Sequence, residues 1–181
     1  MMKATGIVRR IDDLGRVVIP KEIRRTMRIR EGDPLEIYTS REGEVIFKKY
    51  SLMGGVDEFA GQICETLNKT TGLSVAVTDR DSIVAAAGGA RRDLIGKRIS
   101  AQLEQIMEDR AIYQTSGEER SVFITDTTDR YCAMVAAPII SEGDALGLVL
   151  FVGSEGEHNV GETEYKLAQT IAGFLGKHME S

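Results

Sequence analysis

The chain has 181 residues, 42% of them hydrophobic and 28% charged, a composition typical of a globular protein with one large or two small domains. Its longest apolar runs are about ten residues, too short to span a bilayer, and the N-terminal segment MMKATG lacks the apolar stretch of a secretory signal. With a net charge of -5 and two cysteines without CxxC spacing, the sequence predicts a cytoplasmic protein with reduced thiols and no membrane partner.

Charge is distributed unevenly along the chain. Residues 1–50 carry twelve Lys and Arg against eight Asp and Glu, whereas the other 131 residues carry eleven against twenty. A basic block ahead of an acidic body predicts two units with different partners. The segment KKYSLMGGV, in which Gly54-Gly55 interrupts the periodicity, predicts the boundary and gives domains 1–53 and 56–181.

The first unit reads as short strands around one helix. Strands are predicted over Ala4–Arg10 and Arg16–Ile19, with a turn at Asp12–Gly15 between them. Pro20 predicts the start of a helix, and LEIYTS and VIFKKY form alternating strands joined by a REGE turn. Because about fifty residues of this kind hold a marginal core and leave strand edges unpaired, the size alone predicts a dimer.

Residues 3–50, and above all the run GRVVIPKEIRR within them, resemble the AbrB-like swapped-hairpin DNA-binding domain of bacterial transition-state regulators. In that family two chains exchange hairpins to form one β-barrel, whose arginines face double-stranded DNA. Arginine suits this role because its charge meets phosphates and its planar fork pairs with guanine. A merely solvated cationic face is the alternative. The resemblance implies DNA contacts at Arg9, Arg16, Arg24 and Arg25, helped by Arg10 and Lys3.

The acidic body alternates helices and strands. The segment GVDEFAGQICETLNKTTG predicts an amphipathic helix, followed by strands LSVAVTD and SIVAAA around an Arg80-Asp81 turn. A helix over Ser100–Arg110, strands SVFITD, YCAMVAAPII and ALGLVLFVG, and a helix over Glu162–Met179 complete it. This order predicts an α+β fold with a mainly antiparallel sheet flanked by helices. Residues 56–178 resemble a GAF-type sensory domain. The first unit and the body together resemble regulators that activate and repress sporulation genes in the forespore.

The body shows little sign of catalytic chemistry. Its two histidines are not in metal-ligand spacing, and no phosphate or dinucleotide motif occurs, so no metal, cofactor or enzyme activity is predicted. One alternative is a cysteine-based sulfoxide reductase, whose chemistry needs an attacking and a resolving thiol. Cys132 lies in mid-strand, where its side chain is predicted to face inward and to be unreactive. The other alternative is an antitoxin-like protein whose body binds a protein partner. The alanine-rich strands are consistent with a small-ligand pocket between the sheet and the helices. The alternative is that Met107, Met134 and Phe123 fill that space.

Two helices of the body offer surfaces for self-association. The first presents Phe59, Ile63 and Leu67 on one face, and the last presents Ala168, Ala172 and Gly176 as a stripe of small residues. If the first unit forms a dimer, such contacts between bodies join two dimers, which predicts a homotetramer. Close packing of the small-residue stripe on the chain's own sheet is the alternative.

Overall fold

The computed structural model describes residues 5–50, 57–116, 121–157 and 160–180. The chain divides into two compact units, Met1–Tyr50 and Ser51–Ser181. Three features considered in the sequence, Lys3, the Gly54-Gly55 boundary and His158, lie outside the described residues.

The first unit contains one helix and one hairpin. Helix α1 covers Lys21–Met27 with Pro20 at its N-cap, as predicted. Strands β1 (Leu35–Thr39) and β2 (Val45–Lys49) pair antiparallel. The predicted turn joins them, with the amide of Ser40 donating to the carbonyl of Glu44 at 3.0 Å.

The two strands predicted ahead of the helix need correction within the single chain. Described residues 5–20 form no strand, although the predicted turn closes between them, with the amide of Asp12 donating to the carbonyl of Arg16 at 3.0 Å. A strand requires a neighbour that satisfies its N–H and C=O groups. The described residues of one chain supply no such neighbour to this segment.

The first unit also lacks a core of its own. Among its described residues only Pro20 is buried. Of the fifteen large hydrophobic side chains that are exposed in the described part of the protein, twelve belong to this unit. They are Ile7, Val8, Ile11, Leu14, Val17, Val18, Met27, Ile37, Tyr38, Val45, Phe47 and Tyr50. One copy of this unit therefore leaves its apolar surface in water.

The second unit is a six-stranded sheet between two helical layers. In its described residues all strand pairings are antiparallel, in the order β4-β3-β8-β7-β5, with β6 beside β7. The helices are α2 (Asp57–Thr71), α3 (Arg91–Leu94), α4 (Ala101–Asp109) and α5 (Glu162–His178). The strands are β3 (Ser74–Thr78), β4 (Ile83–Ala87), β5 (Tyr113–Gln114), β6 (Phe123–Thr125), β7 (Thr128–Ser141) and β8 (Asp144–Gly153).

Alternating side chains give the sheet two buried faces. On β8, Val149 and Phe151 pack towards α2 and α5, whereas Leu148 and Leu150 pack towards α3 and α4. This two-sided burial explains why the strands read as nearly continuous apolar runs. The predicted α+β class with an antiparallel sheet flanked by helices is confirmed.

Local signals account for most of the element boundaries. Ser100 caps α4 by accepting from the amide of Leu103 at 3.2 Å. The amide of Asp79 donates to the carbonyl of Ser82 at 2.9 Å and closes the predicted Arg80-Asp81 turn. None of the described helices combines the length and the apolar character that a membrane span requires.

Candidate nucleic-acid interface

Asp12 builds the turn that carries Arg16. One carboxylate oxygen accepts from the amides of Leu14 at 3.0 Å and Arg16 at 2.8 Å. The other accepts from Nε of Arg16 at 2.8 Å. These hydrogen bonds, first from the backbone and then from the side chain of Arg16, hold the pKa of Asp12 below its usual value. Asp12 thus fixes the base of an arginine whose side chain is 69% exposed.

The pairing of the Asp12 carboxylate with the Arg16 side chain was not predicted from the sequence, where the Asp and Gly content indicated only a turn. The signal was nevertheless present, because an aspartate commonly accepts from backbone amides a few residues further along. An arginine four positions on is then placed beside that same carboxylate.

Helix α1 presents Arg24 and Arg25 to solvent at its C-terminal end. Cations are favourable there because they face the negative end of the helix dipole. Arg28, in the left-handed conformation at φ 51°, ends the helix, and its carbonyl accepts from Nζ of Lys49 at 2.9 Å. Lys49 also lies 3.4 Å from the carboxylate of Asp33. The helix end is thereby tied to β2.

The structure exposes every described residue of the predicted DNA-binding set. Arg9 and Arg10 lie on the unpaired segment before the turn, Arg16 follows the turn, and Arg24 and Arg25 lie on α1. All five therefore have side chains accessible to a large anionic partner. The sixth member, Lys3, lies outside the described residues.

The small-residue stripe of the last helix packs inside the chain. Ala168 and Ala172 are 0% and 2% exposed and belong to the core between α5 and the sheet. Gly176 lies so close to β7 that an added Cβ would come 2.0 Å from the carbonyl oxygen of Ile140. The close approach that these residues allow is therefore made to the chain's own sheet, which was the alternative left open by the sequence.

The first helix of the body is only partly covered. Leu67 is buried, while Phe59 and Ile63 are half-buried. The Phe59 ring lies 5.9 Å from that of Phe174 and 5.3 Å from that of His178 on α5. Phe174 is 51% exposed, so the aromatic cluster of Phe59, Phe174 and His178 reaches the surface. Phe174, one helical turn before His178, was not among the predicted interface residues.

The two thiols of the body lie inside its fold. Cys64 and Cys132 are free and buried. Burial raises the pKa of Cys64 to about 12 and also raises that of Cys132. Across the described ranges, no three His, Cys, Asp or Glu residues are placed to hold a metal ion.

Exposed arginines on a small β-rich unit, joined to a three-layer α+β body, are the features of a two-domain DNA-binding regulator. The family described as "Stage V sporulation protein T C-terminal, transcription factor" matches residues 55–180. The family described as "Antidote-toxin recognition MazE, bacterial antitoxin" matches residues 8–51. The chain belongs to the stage V sporulation protein T family of transcription factors, whose N-terminal domain binds DNA.

Individual relatives agree with this assignment. The chain is 45% identical to Stage V sporulation protein T of Bacillus subtilis (strain 168) over 99% of both proteins. Its first unit is similar to Transition state regulatory protein AbrB of the same organism, with 63% identity over 49 residues, which cover 27% of this chain and 50% of AbrB.

The fold of the body has a counterpart among solved structures. The GAF domain of nlh2 from A. Aeolicus has a TM-score of 0.50 at 16% identity and covers 67% of this chain and 82% of that one. At this identity the likeness concerns the fold alone. The predicted GAF-like fold of the body is confirmed.

Proposed function

We propose that this protein is a sequence-selective, homo-oligomeric transcription factor that activates and represses sporulation genes in the forespore. The observation that carries the proposal is the first unit, where Arg9, Arg10, Arg16, Arg24 and Arg25 are exposed on a domain that buries only Pro20 among its described residues. The proposed location is the cytoplasm, because the proposed partner is the chromosomal DNA of a bacterium. Lys3 is included in the proposed contact set.

Dimerisation of the first unit follows from its missing core. Twelve large exposed hydrophobic side chains and an unpaired segment over residues 5–20 cannot remain in water without cost. A second copy that exchanges its hairpin would pair the unpaired segments and bury those side chains. We place this domain at residues 1–53 and the body at 56–181. Two-fold symmetry then presents each DNA-binding arginine twice.

The proposed DNA chemistry divides between the arginines. The cations neutralise phosphates and release counterions, which supplies affinity that falls with salt. Arg16, whose base Asp12 holds by a 2.8 Å hydrogen bond, is the best positioned to enter a groove and pair with a base. Arg24 and Arg25 project from a helix end that Lys49 anchors, so they keep a fixed separation along the surface.

The body is proposed to join two dimers into a homotetramer. The aromatic cluster of Phe59, Phe174 and His178 borders a groove of about 220 Å³ between α2 and α5. Ile63 and Leu67 line that groove, and Phe174 stands half in solvent beside it. A second body can insert its own Phe174 there. Ala168, Ala172 and Gly176 act indirectly, because they seat α5 on the sheet and so set the position of Phe174.

The body is further proposed to bind a small ligand and to lack catalytic activity. Reductase chemistry needs an accessible thiolate, whereas burial raises the pKa of both cysteines. Large side chains such as Met107 and Leu103 cover the alanines of the central strands on the α4 side. A ligand therefore has to bind at the surface or to move those side chains.

A second candidate function is favoured by the antitoxin match over residues 8–51. In that case the body would bind a protein partner. Tagged protein expressed from its own locus would then co-purify with a small partner in equimolar amount. The match of the body to the sporulation family over residues 55–180 favours the transcription factor instead.

Footprinting on genomic fragments with matched variants tests the main proposal. Arg16→Ala and Arg24→Ala should each weaken binding at least about tenfold and leave the oligomer unchanged, since both side chains are exposed. Arg41→Ala, in the exposed hairpin turn of the same unit, is the control and should bind within about twofold of wild type. Wild-type affinity should fall steeply with salt. A salt-insensitive complex, or equal binding by all three variants, would contradict the assignment.

A further inference from the structure

The body is acidic overall, yet the charged residues that line one groove on its surface are mainly cations. Residues 51–181 hold eleven Lys and Arg against twenty Asp and Glu. The groove, between α3 and the turn that joins β6 to β7, has a volume of about 410 Å³. It is lined by Arg92, Asp93, Lys97, Thr127, Thr128, Arg130 and Tyr131.

The charged residues that line this groove are three cations and one carboxylate, with a net charge of +2. The carboxylate of Asp93 is already engaged, because one oxygen accepts from Nη1 of Arg130 at 3.1 Å and from the hydroxyl of Tyr131 at 2.8 Å. Within the described ranges, the side chains of Arg92 and Lys97 form no ion pair. No acidic side chain of the described residues therefore contacts either cation directly.

The groove is held in shape by the surrounding backbone and side chains. The Asp93 contacts tie α3 to the start of β7. Lys97 is fixed on the other side, where its amide donates to the carbonyl of Leu94 and its carbonyl accepts from the amide of Ile83, both at 2.9 Å. The backbone that carries Asp93 and Lys97 is therefore held by contacts within the body. Such preorganisation lowers the cost of binding.

A hydroxyl group completes the set of donors. Thr128 Oγ1 accepts from the amide of Arg130 at 3.2 Å, and its own proton has no acceptor among the described residues. An arginine fork, an ammonium and a hydroxyl are the donors that phosphate oxygens take in proteins. The volume falls in the range of small-molecule sites, about 300–1,000 Å³.

We propose that this groove binds a small molecule carrying a di- or triphosphate group, recognised by Arg92, Lys97 and Thr128, with Arg130 shared between Asp93 and the ligand. Binding itself is independent of the DNA-binding function proposed above. Any effect of the ligand on DNA affinity rests on that function and on a difference in ligand affinity between two conformations.

Calorimetric titration of the full-length protein tests the site with pyrophosphate, with ATP free of divalent cations, and with adenosine. Pyrophosphate and ATP should bind with saturation, and adenosine should not. Equal affinity for the two phosphates would indicate a free diphosphate as the ligand, and tighter binding of ATP a nucleotide. Arg92→Gln and Lys97→Gln should each weaken binding about tenfold, as expected for loss of a charged hydrogen bond.

Three controls decide whether the groove is responsible. Arg91→Gln and Arg98→Gln remove the same charge from neighbouring exposed residues that do not line the groove, and should bind like wild type. Arg16→Ala should lose DNA affinity but retain pyrophosphate affinity, which separates this proposal from the DNA-binding one. Absence of saturation up to about 10 mM, equal loss in all the arginine variants, or loss in Arg16→Ala would overturn the proposal.

Discussion

At the scale of single residues, Asp12 shows how an acidic side chain can serve a DNA-binding surface. Its carboxylate accepts three hydrogen bonds, two from Arg16 and one from Leu14. The negative charge itself opposes binding to phosphates. Positioning of Arg16 and electrostatic repulsion therefore predict opposite effects of removing it.

We predict that positioning is the larger effect. Asp12→Ala should weaken specific DNA binding about three- to tenfold although it raises the net charge. Asp12→Asn retains an acceptor for the backbone amides and should lose less. Asp13→Ala is the matched control, since it removes the same charge from the adjacent residue and should bind as well as wild type or slightly better. Electrophoretic mobility shifts would measure all three; tighter binding by Asp12→Ala would show that repulsion dominates.

The thiol of Cys64 gives a second prediction at this scale. The residue is 0% exposed, and burial raises its pKa to about 12, so the nucleophilic thiolate is scarce at neutral pH. Iodoacetamide at about pH 8 should leave Cys64 unmodified in the native protein and alkylate it after denaturation, as measured by mass spectrometry. Cys132, which is 6% exposed with a raised pKa, should react slowly too. Rapid native alkylation of either thiol would revive the reductase alternative.

At the scale of elements, the sequence pattern predicted most helices and strands but missed α3 and β5. Helix α3 has four residues and β5 has two, which is about one period of a helix and of a strand. A hydrophobic pattern can be recognised only over several periods. The strand predicted over Ala4–Arg10 is not formed for another reason: strand propensity describes how well a side chain suits a sheet, and the described residues of one chain supply no partner strand. Propensity alone cannot state which chain supplies a neighbour.

The small-residue stripe illustrates the same limit on the candidate interface. Ala168, Ala172 and Gly176 correctly indicated a close approach to α5, but spacing cannot name the approaching element. It is β7 of the same chain, through Ile140. The exposure of the arginines was predictable, because a charged side chain is well solvated at a protein surface. The pairing of Asp12 with Arg16 was not, because it depends on the geometry of the turn.

Two glycines of α5 allow a matched prediction. An added Cβ at Gly176 would lie 2.0 Å from a β7 carbonyl oxygen, whereas at Gly173 it would meet nothing within 4 Å. Gly176→Ala should therefore lower the free energy of unfolding by about 2 kcal/mol or more. Gly173→Ala should raise it by up to about 1 kcal/mol through helix propensity. Urea denaturation followed by circular dichroism would measure both. A destabilising Gly173→Ala would indicate that this face of α5 is packed in the assembly.

At the scale of the whole molecule, the two units differ in what they need from a second copy. The first unit buries one described residue, and in the proposed dimer a second copy supplies the rest of its core. The body has complete cores on both faces of its sheet and needs no partner to fold. The proposed association through the body is therefore separable from its folding. It can be removed by substitution at its surface.

The last prediction concerns that separation. Full-length protein should be a tetramer, and Phe174→Ser should reduce it to dimers, because Phe174 is half exposed beside the groove that Phe59 and Ile63 line. Ile95→Ser is the control; Ile95 is 44% exposed beside α3, on the opposite face of the sheet, and its substitution should leave the tetramer intact.

The Phe174→Ser dimer should bind single operators nearly normally. On paired sites it should lose the avidity that two tethered DNA-binding domains give, a loss of about a hundredfold or more in affinity. Residues 1–53 alone should form a dimer that binds the same DNA more weakly than full-length protein. Light scattering at micromolar concentration decides the assembly: a dimeric full-length protein, or a tetrameric 1–53 fragment, would place the second interface elsewhere.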